Sequence, residues 1–166
     1  IQQSAHYNIS IGAKAGCLGT TGSCNVFLGV CAGRSVSTGD FNLFAGHKAG
    51  DAVTVGVSNV YLGNLAGAGS TAGERNIAVG YNAGNKITIG ENNVFMGSYA
   101  GCSQENGDNN VAIGKDAGRF STCTWSNVLI GSCAGRLLTT GSSNVFLGDD
   151  AGHKATTSHG NVFIGN

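Results

Sequence analysis

The stretch NVFLGVCAG at residues 25–33 returns several times along the chain with few changes. Near-copies are NVYLGNLAG at 59–67, NVFMGSYAG at 93–101 and NVFLGDDAG at 144–152. An asparagine opens each copy, and asparagines recur at a constant step of 17 residues: Asn8, Asn25, Asn42, Asn59, Asn76, Asn93, Asn110, Asn127, Asn144 and Asn161. A fixed period without insertions indicates a repeat architecture in which each unit stacks on the next.

Glycine follows the same period. The chain has 29 glycines and no proline. Most of the glycines stand four, eight or fourteen residues after a repeat asparagine. So many glycines exclude a helical repeat, and collagen would need glycine at every third position together with abundant proline. The glycine columns therefore indicate corners, where the backbone needs positive φ or a close approach.

These patterns predict an all-β fold, a parallel β-solenoid of 17-residue coils with two short strands per coil, as one array over residues 1–166. The first strand is N-V-x-[IL]-G. About 4.8 Å per stacked strand gives a rod of roughly 43 Å over nine steps. The ten repeat asparagines are expected to form a hydrogen-bonded structural ladder along the axis. The second strand is expected to centre on a hydroxyl column: Thr20, Ser37, Thr54, Thr71, Thr88, Thr122, Thr139 and Thr156, with Glu105 as the exception.

The first strand is apolar at three successive positions, so both of its faces are apolar. We expect the columns of Val26 and Leu28 to fill the coil interior. The column between them would then face outward, exposing more apolar surface than a soluble monomer normally shows. It is therefore predicted to be the interface of a homo-oligomer, and changing Phe27, Phe95 and Phe146 together to Ser should dissociate the assembly. The predicted interface comprises Phe27, Phe44, Tyr61, Phe95, Leu129, Phe146 and Phe163.

In the second strand, the hydroxyl column is expected to point to water and its two neighbouring columns inward. One neighbouring column contains Val36, Val53, Ile87 and Leu138. The other contains Thr21, Val55, Ile89 and Thr140.

Charge and hydropathy narrow the classes of partner. Nine basic and nine acidic residues give a net charge of zero, which argues against nucleic acid as a partner. No apolar run approaches the roughly 20 residues of a membrane span, so no membrane insertion is expected. The sequence begins at Ile1, in the middle of a repeat, which we interpret as a segment of a longer fibre.

Candidate chemistry is sparse. The six cysteines show no C-x-x-C pair and no zinc-type spacing with histidine, so neither a metal nor a cofactor is expected. Cys17 and Cys31 lie near the same corner of adjacent coils, and a disulfide there is the alternative to free thiols. Asp149, Asp150 and His153 could form an acid–base cluster, but solvated surface is the favoured interpretation. No catalytic residue is predicted, and the chain is expected not to be an enzyme.

Two other classes of function stay open as alternatives. A regular rank of Thr on a flat β-solenoid is typical of ice-binding proteins, although such faces usually carry two parallel ranks. Strong thermal hysteresis would favour that alternative. A glycan-cleaving fibre enzyme would need a carboxylate pair in one groove, for which Asp116 with Asp149 or Asp150 is the only candidate.

The motifs NIAVGYNAG at 76–84 and NVAIGKDAG at 110–118, with the spacer LTTGSSN at 138–144, resemble two related groups of repeats. One is the head repeat of trimeric autotransporter adhesins, and the other is the repeat of bacteriophage and viral tail fibres. The resemblance covers essentially the whole chain, and the 17-residue step favours the fibre group. It implies a left-handed, homotrimeric β-roll on a virion or cell surface that serves as a shaft or head in host attachment. A host-surface glycan or receptor is the implied external partner. Phe is frequent where the adhesin repeat usually has Ala, which would widen the axis.

Overall fold

Residues 7–165 are described by a computed structural model of the chain. They form an all-β structure of short parallel strands without a helix. Each strand is three residues long, and the strands in chain order are β1 Ile9–Ile11, β2 Val26–Leu28, β3 Leu43–Ala45, β4 Val60–Leu62, β5 Ile77–Val79, β6 Val94–Met96, β7 Val111–Ile113, β8 Cys123–Trp125, β9 Val128–Ile130, β10 Thr140–Ser142, β11 Val145–Leu147 and β12 Val162–Ile164.

Ten of these strands form one parallel sheet along the rod, in the order β1-β2-β3-β4-β5-β6-β7-β9-β11-β12. The register advances by one whole repeat at each step, so that Val26 pairs with Leu43 and Leu43 pairs with Val60. Each coil therefore places the same position of its sequence directly over that of its neighbour. The predicted parallel β-solenoid of 17-residue coils is confirmed.

The predicted second strand is present only in part. Among the described residues, β8 and β10 pair in a two-stranded parallel sheet, and isolated bridges join Glu74 to Glu91 and Ser142 to His159. These pairings begin just after the hydroxyl column instead of centring on it. At that column several donors converge on one carbonyl, as when Thr20, Thr21 and Gly22 all donate to the Ser37 oxygen, and this replaces a regular ladder.

The corners need backbone conformations with positive φ. At the glycine four residues after each asparagine φ is near +130°, and a Cβ on Gly29 would lie 2.6 Å from the carbonyl oxygen of Gly46. Left-handed residues that are not glycine also occur at two places in each coil, as at Lys48 (φ 55°) and Ser58 (φ 59°). The glycine columns predict the first kind of corner, but nothing in the residue types marks the second.

The interior of the coil is narrow and is filled by four ranks of side chains. They are the repeat asparagines, the aromatic rank (Phe27 and its equivalents), an alanine rank (Ala32 and its equivalents), and the inner wall rank, which contains Val36, Val53, Ile87 and Leu138. The inner wall rank is buried as predicted. Its predicted inward partners are exposed instead: Thr21, Val55, Ile89 and Thr140.

The predicted facing of the first strand is wrong. The supposed interface residues are buried in the core of one coil stack, and the columns of Val26 and Leu28 point outward. The reason is alternation counted from the asparagine: its side chain faces inward, so the residue two positions later must also face inward. The residues corrected from interface to core are Phe27, Phe44, Tyr61, Phe95, Leu129 and Phe146, together with Phe163, which stacks on Phe146 and is 42% exposed because no described coil covers it.

Candidate interface and surface sites

The outward side of the ten-stranded sheet carries two continuous ranks of apolar side chains, which we call the outer aliphatic face. All twenty of its side chains are Ile, Val, Leu, Met or Ala, and they are half-buried to exposed. The first rank is Ile9, Val26, Leu43, Val60, Ile77, Val94, Val111, Val128, Val145 and Val162. The second is Ile11, Leu28, Ala45, Leu62, Val79, Met96, Ile113, Ile130, Leu147 and Ile164.

The outer aliphatic face is large for a surface that contacts only water. Nine steps of about 4.8 Å and a width of about 12 Å give roughly 500 Å², at the upper end of the largest apolar patch on a typical monomer. No polar side chain interrupts it, whereas the next rank along the coil mixes Val30, His47, Asn64 and Tyr81. The strand is therefore apolar on both faces, as predicted, but the face predicted to lie inside the coil is the one that points outward.

The asparagine ladder is present and buried. The backbone N–H of each repeat asparagine donates to the Oδ1 of the asparagine one coil earlier, as from Asn93 to Asn76 at 3.0 Å and from Asn110 to Asn93 at 2.9 Å. The Asn93 Nδ2 donates to the same Asn76 oxygen at 3.0 Å and to the Gly107 carbonyl of its own coil at 2.7 Å. Each amide therefore joins two coils and also closes its own coil, which confirms the predicted structural ladder.

The aromatic rings of the core stack along the axis at the coil spacing. The ring centroids of Phe44 and Tyr61 are 4.9 Å apart with an interplanar angle of 7°, and those of Phe27 and Phe44 are 5.6 Å apart. The rings lie against the glycine that stands eight residues after each repeat asparagine. A Cβ on Gly33, for example, would meet the Phe27 ring at 2.4 Å. Those glycines leave the space into which the aromatic rank packs.

Tyr61 is the one aromatic side chain of this rank within residues 7–165 that has a hydroxyl. The side chain is fully buried, and its oxygen has no hydrogen-bond partner of good geometry among the described residues. Burial raises the pKa of Tyr61 to about 12, and Ser70 and Asn76 oppose that rise weakly. The hydroxyl therefore stays protonated at neutral pH inside an otherwise apolar stack.

The hydroxyl column faces outward, as predicted, but its hydroxyl protons are engaged. Thr20 donates to the Ser37 carbonyl at 2.9 Å, and Thr71 donates to the Thr88 carbonyl at 2.9 Å. The exposed rank beside it is chemically mixed and includes Val55, Ile89 and Asn106. These side-chain hydrogen bonds connect each coil to the next on the side of the solenoid away from the ten-stranded sheet.

The residues considered for catalysis lie apart from one another or on open surface. Asp150, His153 and Lys154 line a hollow of about 620 Å³ at the Phe163 end of the described solenoid, where the His153 amide donates to the Asp150 carbonyl. Ser142 Oγ lies 3.1 Å from the Nδ1 of His159, and both residues are on the surface. No group of three metal-ligating side chains occurs within residues 7–165.

All six cysteines are free thiols, so the alternative of a Cys17–Cys31 disulfide is not realised. Cys102 is half-buried and accepts a hydrogen bond from the Asn82 amide at 3.1 Å. Burial raises the pKa of the Cys102 thiol. Its protonated form is therefore favoured.

A surface cluster that sequence reasoning missed lies at the Ala-Gly corner of four successive coils. We call it the aromatic–arginine cluster, and it consists of Tyr81, Tyr99, Arg119, Phe120 and Arg136. The rings of Tyr81 and Tyr99 meet edge to face at 5.2 Å, and the Arg119 guanidinium lies 4.4 Å from the Tyr99 centroid. Phe120 is flanked by both guanidinium groups, at 5.2 and 5.5 Å. Its members occupy different positions of the repeat, so a comparison of equivalent positions along the sequence does not reveal the cluster.

The described part of the chain thus belongs to the class of parallel β-solenoids, with a polar ladder inside and an aliphatic face outside. Residues 7–165 contain no helix that is long and apolar enough to cross a membrane. Comparison with models of known protein families, with curated proteins and with solved structures finds no match to this chain.

Proposed function

We propose that this chain is a structural and adhesive segment of a surface fibre, the shaft or head of a viral tail fibre or of a cell-surface adhesin. It acts mechanically and without catalysis on the virion or cell surface, and it contributes to host attachment. The observation that carries the proposal is the uninterrupted outer aliphatic face on a rod of uniform coils. The resemblance of the repeat motifs to fibre and adhesin repeats supports it independently.

The cover for this face is another copy of the chain. A surface whose side chains repeat every 4.8 Å or so is matched over its whole length only by a surface with the same repeat, and identical rods have it. Parallel copies keep the ranks in step, and a closed trimer, which the repeat resemblance implies, gives every copy the same environment. The interface residues proposed here are therefore those of the outer aliphatic face, and the aromatic rank stays in each core.

Sedimentation of the purified chain tests this proposal. We expect the wild-type chain to sediment as a trimer, and V60T/L62S/V94T to sediment as a monomer with unchanged circular dichroism. The control is V30T/V55T, two exposed valines outside the face, which should stay trimeric. A monomeric wild type at micromolar concentration would refute the assembly, and a dimer would refute the trimer alone.

A further inference from the structure

The aromatic–arginine cluster combines two groups that recognise an acidic sugar. Tyr81 and Phe120 are 46% and 37% exposed, so flat apolar surface is available to the C–H face of a sugar ring. The two guanidinium groups beside them present planar forks of N–H donors, which match a carboxylate or a sulfate. Ring stacking restrains both arginines before a ligand arrives, which lowers the entropy cost of binding.

The charges of the cluster are not balanced within the described chain. Arg119 pairs with Asp116 at 2.9 Å, whereas Arg136 has no carboxylate within ion-pair distance among residues 7–165. The buried Nε of Arg136 also has no hydrogen-bond partner there. Lys86 acts together with Arg119 on the thiol of Cys102, so a third cation lies at the edge of the cluster. Three cations against one carboxylate leave an excess positive charge beside exposed rings.

The repeat position nine residues after the asparagine also contains an arginine whose charge is neutralised by an acid on the next coil. Arg34 stands one coil before Asp51 and donates to its carboxylate at 3.0 Å. At the equivalent places in the later coils, Arg119 is followed by Arg136 and Arg136 by His153, so no acid is supplied from the next coil. Two like charges on adjacent coils repel each other, and an anion bound between them would relieve that repulsion.

We propose that the aromatic–arginine cluster is a binding site for an acidic oligosaccharide, with different sugar rings against Tyr81 and Phe120 and a carboxylate or sulfate on Arg136. This inference rests on the proposed adhesive role and names the ligand class that such a fibre would hold. Phe120 and Arg136 lie after the Ala-Gly corner, outside the strand that carries the outer aliphatic face, so that face can be covered without covering these two side chains.

Titration of the full chain with defined polymers tests the inference. The probes are hyaluronan oligosaccharides, which carry carboxylates, dextran sulfate, which carries sulfates, and neutral dextran. We expect at least one acidic polymer to bind at least tenfold more tightly than dextran, and binding to weaken as salt rises because the site is exposed. The tighter of the two acidic polymers identifies the group that Arg136 holds.

Matched variants separate the site from general charge. R136Q should weaken binding about tenfold, as expected for loss of a charge-assisted contact, whereas R34Q removes the same group from a balanced pair and should leave binding unchanged. F120L tests the ring alone, and Leu137 at the equivalent place one coil later shows that leucine fits this position. Equal losses in R136Q and R34Q, equal binding of neutral dextran, or no binding by the wild type would each overturn the inference.

Sedimentation of the same samples keeps the two proposals apart. A trimer that binds no acidic polymer overturns the saccharide site and leaves the fibre proposal standing. A monomer that binds one through Arg136 overturns the assembly and supports the site.

Discussion

At the scale of single residues, the repeat asparagine carries the largest share of the polar bonding inside the coil. Its side chain is buried, and its amide and backbone connect three places at once: the coil before, the coil after and the end of its own coil. A buried polar group left without a hydrogen-bond partner costs about 1–3 kcal/mol. One asparagine is the partner of several such groups, so its loss should be costly.

Asn93→Ala is expected to lower the free energy of unfolding by about 3 kcal/mol or more, because the Gly107 carbonyl and the Asn110 amides lose their buried partner. Chemical denaturation monitored by circular dichroism measures the change. Asn64→Ala is the control, since Asn64 is exposed and its side chain makes one contact, with His47 at 3.4 Å. Equal losses for the two variants would contradict the assigned role of the ladder.

Tyr61→Phe removes a buried hydroxyl without a good partner, so we expect it to stabilise the chain by about 1 kcal/mol. The pKa of Tyr61 is about 12 in the folded chain and about 10 when unfolded. The unfolded state therefore loses its proton first as pH rises, and stability should be level below pH 10 and fall between about pH 10 and 12. Denaturation across that range should show a fall of up to about 1.4 kcal/mol per pH unit in the wild type relative to Tyr61→Phe. Parallel pH curves for the two proteins would refute the assignment.

At the scale of the coil, side chains on the two inner walls exchange volume in some of the coils. Tyr61 shares its coil with the small Ser70, and Ala78 shares its coil with the larger Ile87. Such an exchange makes sense only if both positions fill the same interior. The exchange is not general, because Ala112 and Ser121 share a coil and are both small, so this signal alone does not place the aromatic rank inside.

Two glycines with positive φ allow the cost of backbone strain to be distinguished from the cost of overpacking. Gly33 and Gly160 both have positive φ, at 55° and 66°, but a Cβ meets the Phe27 ring at 2.4 Å in the first case and nothing within 4 Å in the second. Gly160→Ala should therefore cost about 1 kcal/mol from backbone strain alone. Gly33→Ala should cost about 3 kcal/mol or more, because overpacking adds to the strain. Thermal denaturation of both variants measures the difference, and similar values would show that the ring yields easily.

At the scale of the whole molecule, the period alone predicted the array, the parallel register and the asparagine ladder, because a 17-residue step leaves few ways to stack. The direction in which Phe27 and Val26 face could not be read from polarity, since both side chains are apolar. The aromatic–arginine cluster escaped for another reason: Tyr81 and Arg119 occupy unequal repeat positions and become neighbours only when coils are superposed.

Replacing Phe27, Phe95 and Phe146 together with Ser is now expected to unfold the chain and not merely to dissociate it. Each loss of a buried Phe costs about 3–5 kcal/mol, and three such losses approach or exceed the whole stability of a typical domain. Circular dichroism of the triple variant decides between the outcomes, because a folded monomer would restore the original interface assignment.

The direction of the asparagine hydrogen bonds has a consequence for how the solenoid grows. Every side-chain oxygen in the ladder accepts from the coil that follows it in the chain, so a completed coil offers a vacant acceptor to residues not yet folded. The side-chain ladder therefore presents its acceptors to later residues, whereas the backbone hydrogen bonds between coils run in both directions. A ribosome releases earlier residues before later ones, so each turn can close on a finished template as it emerges.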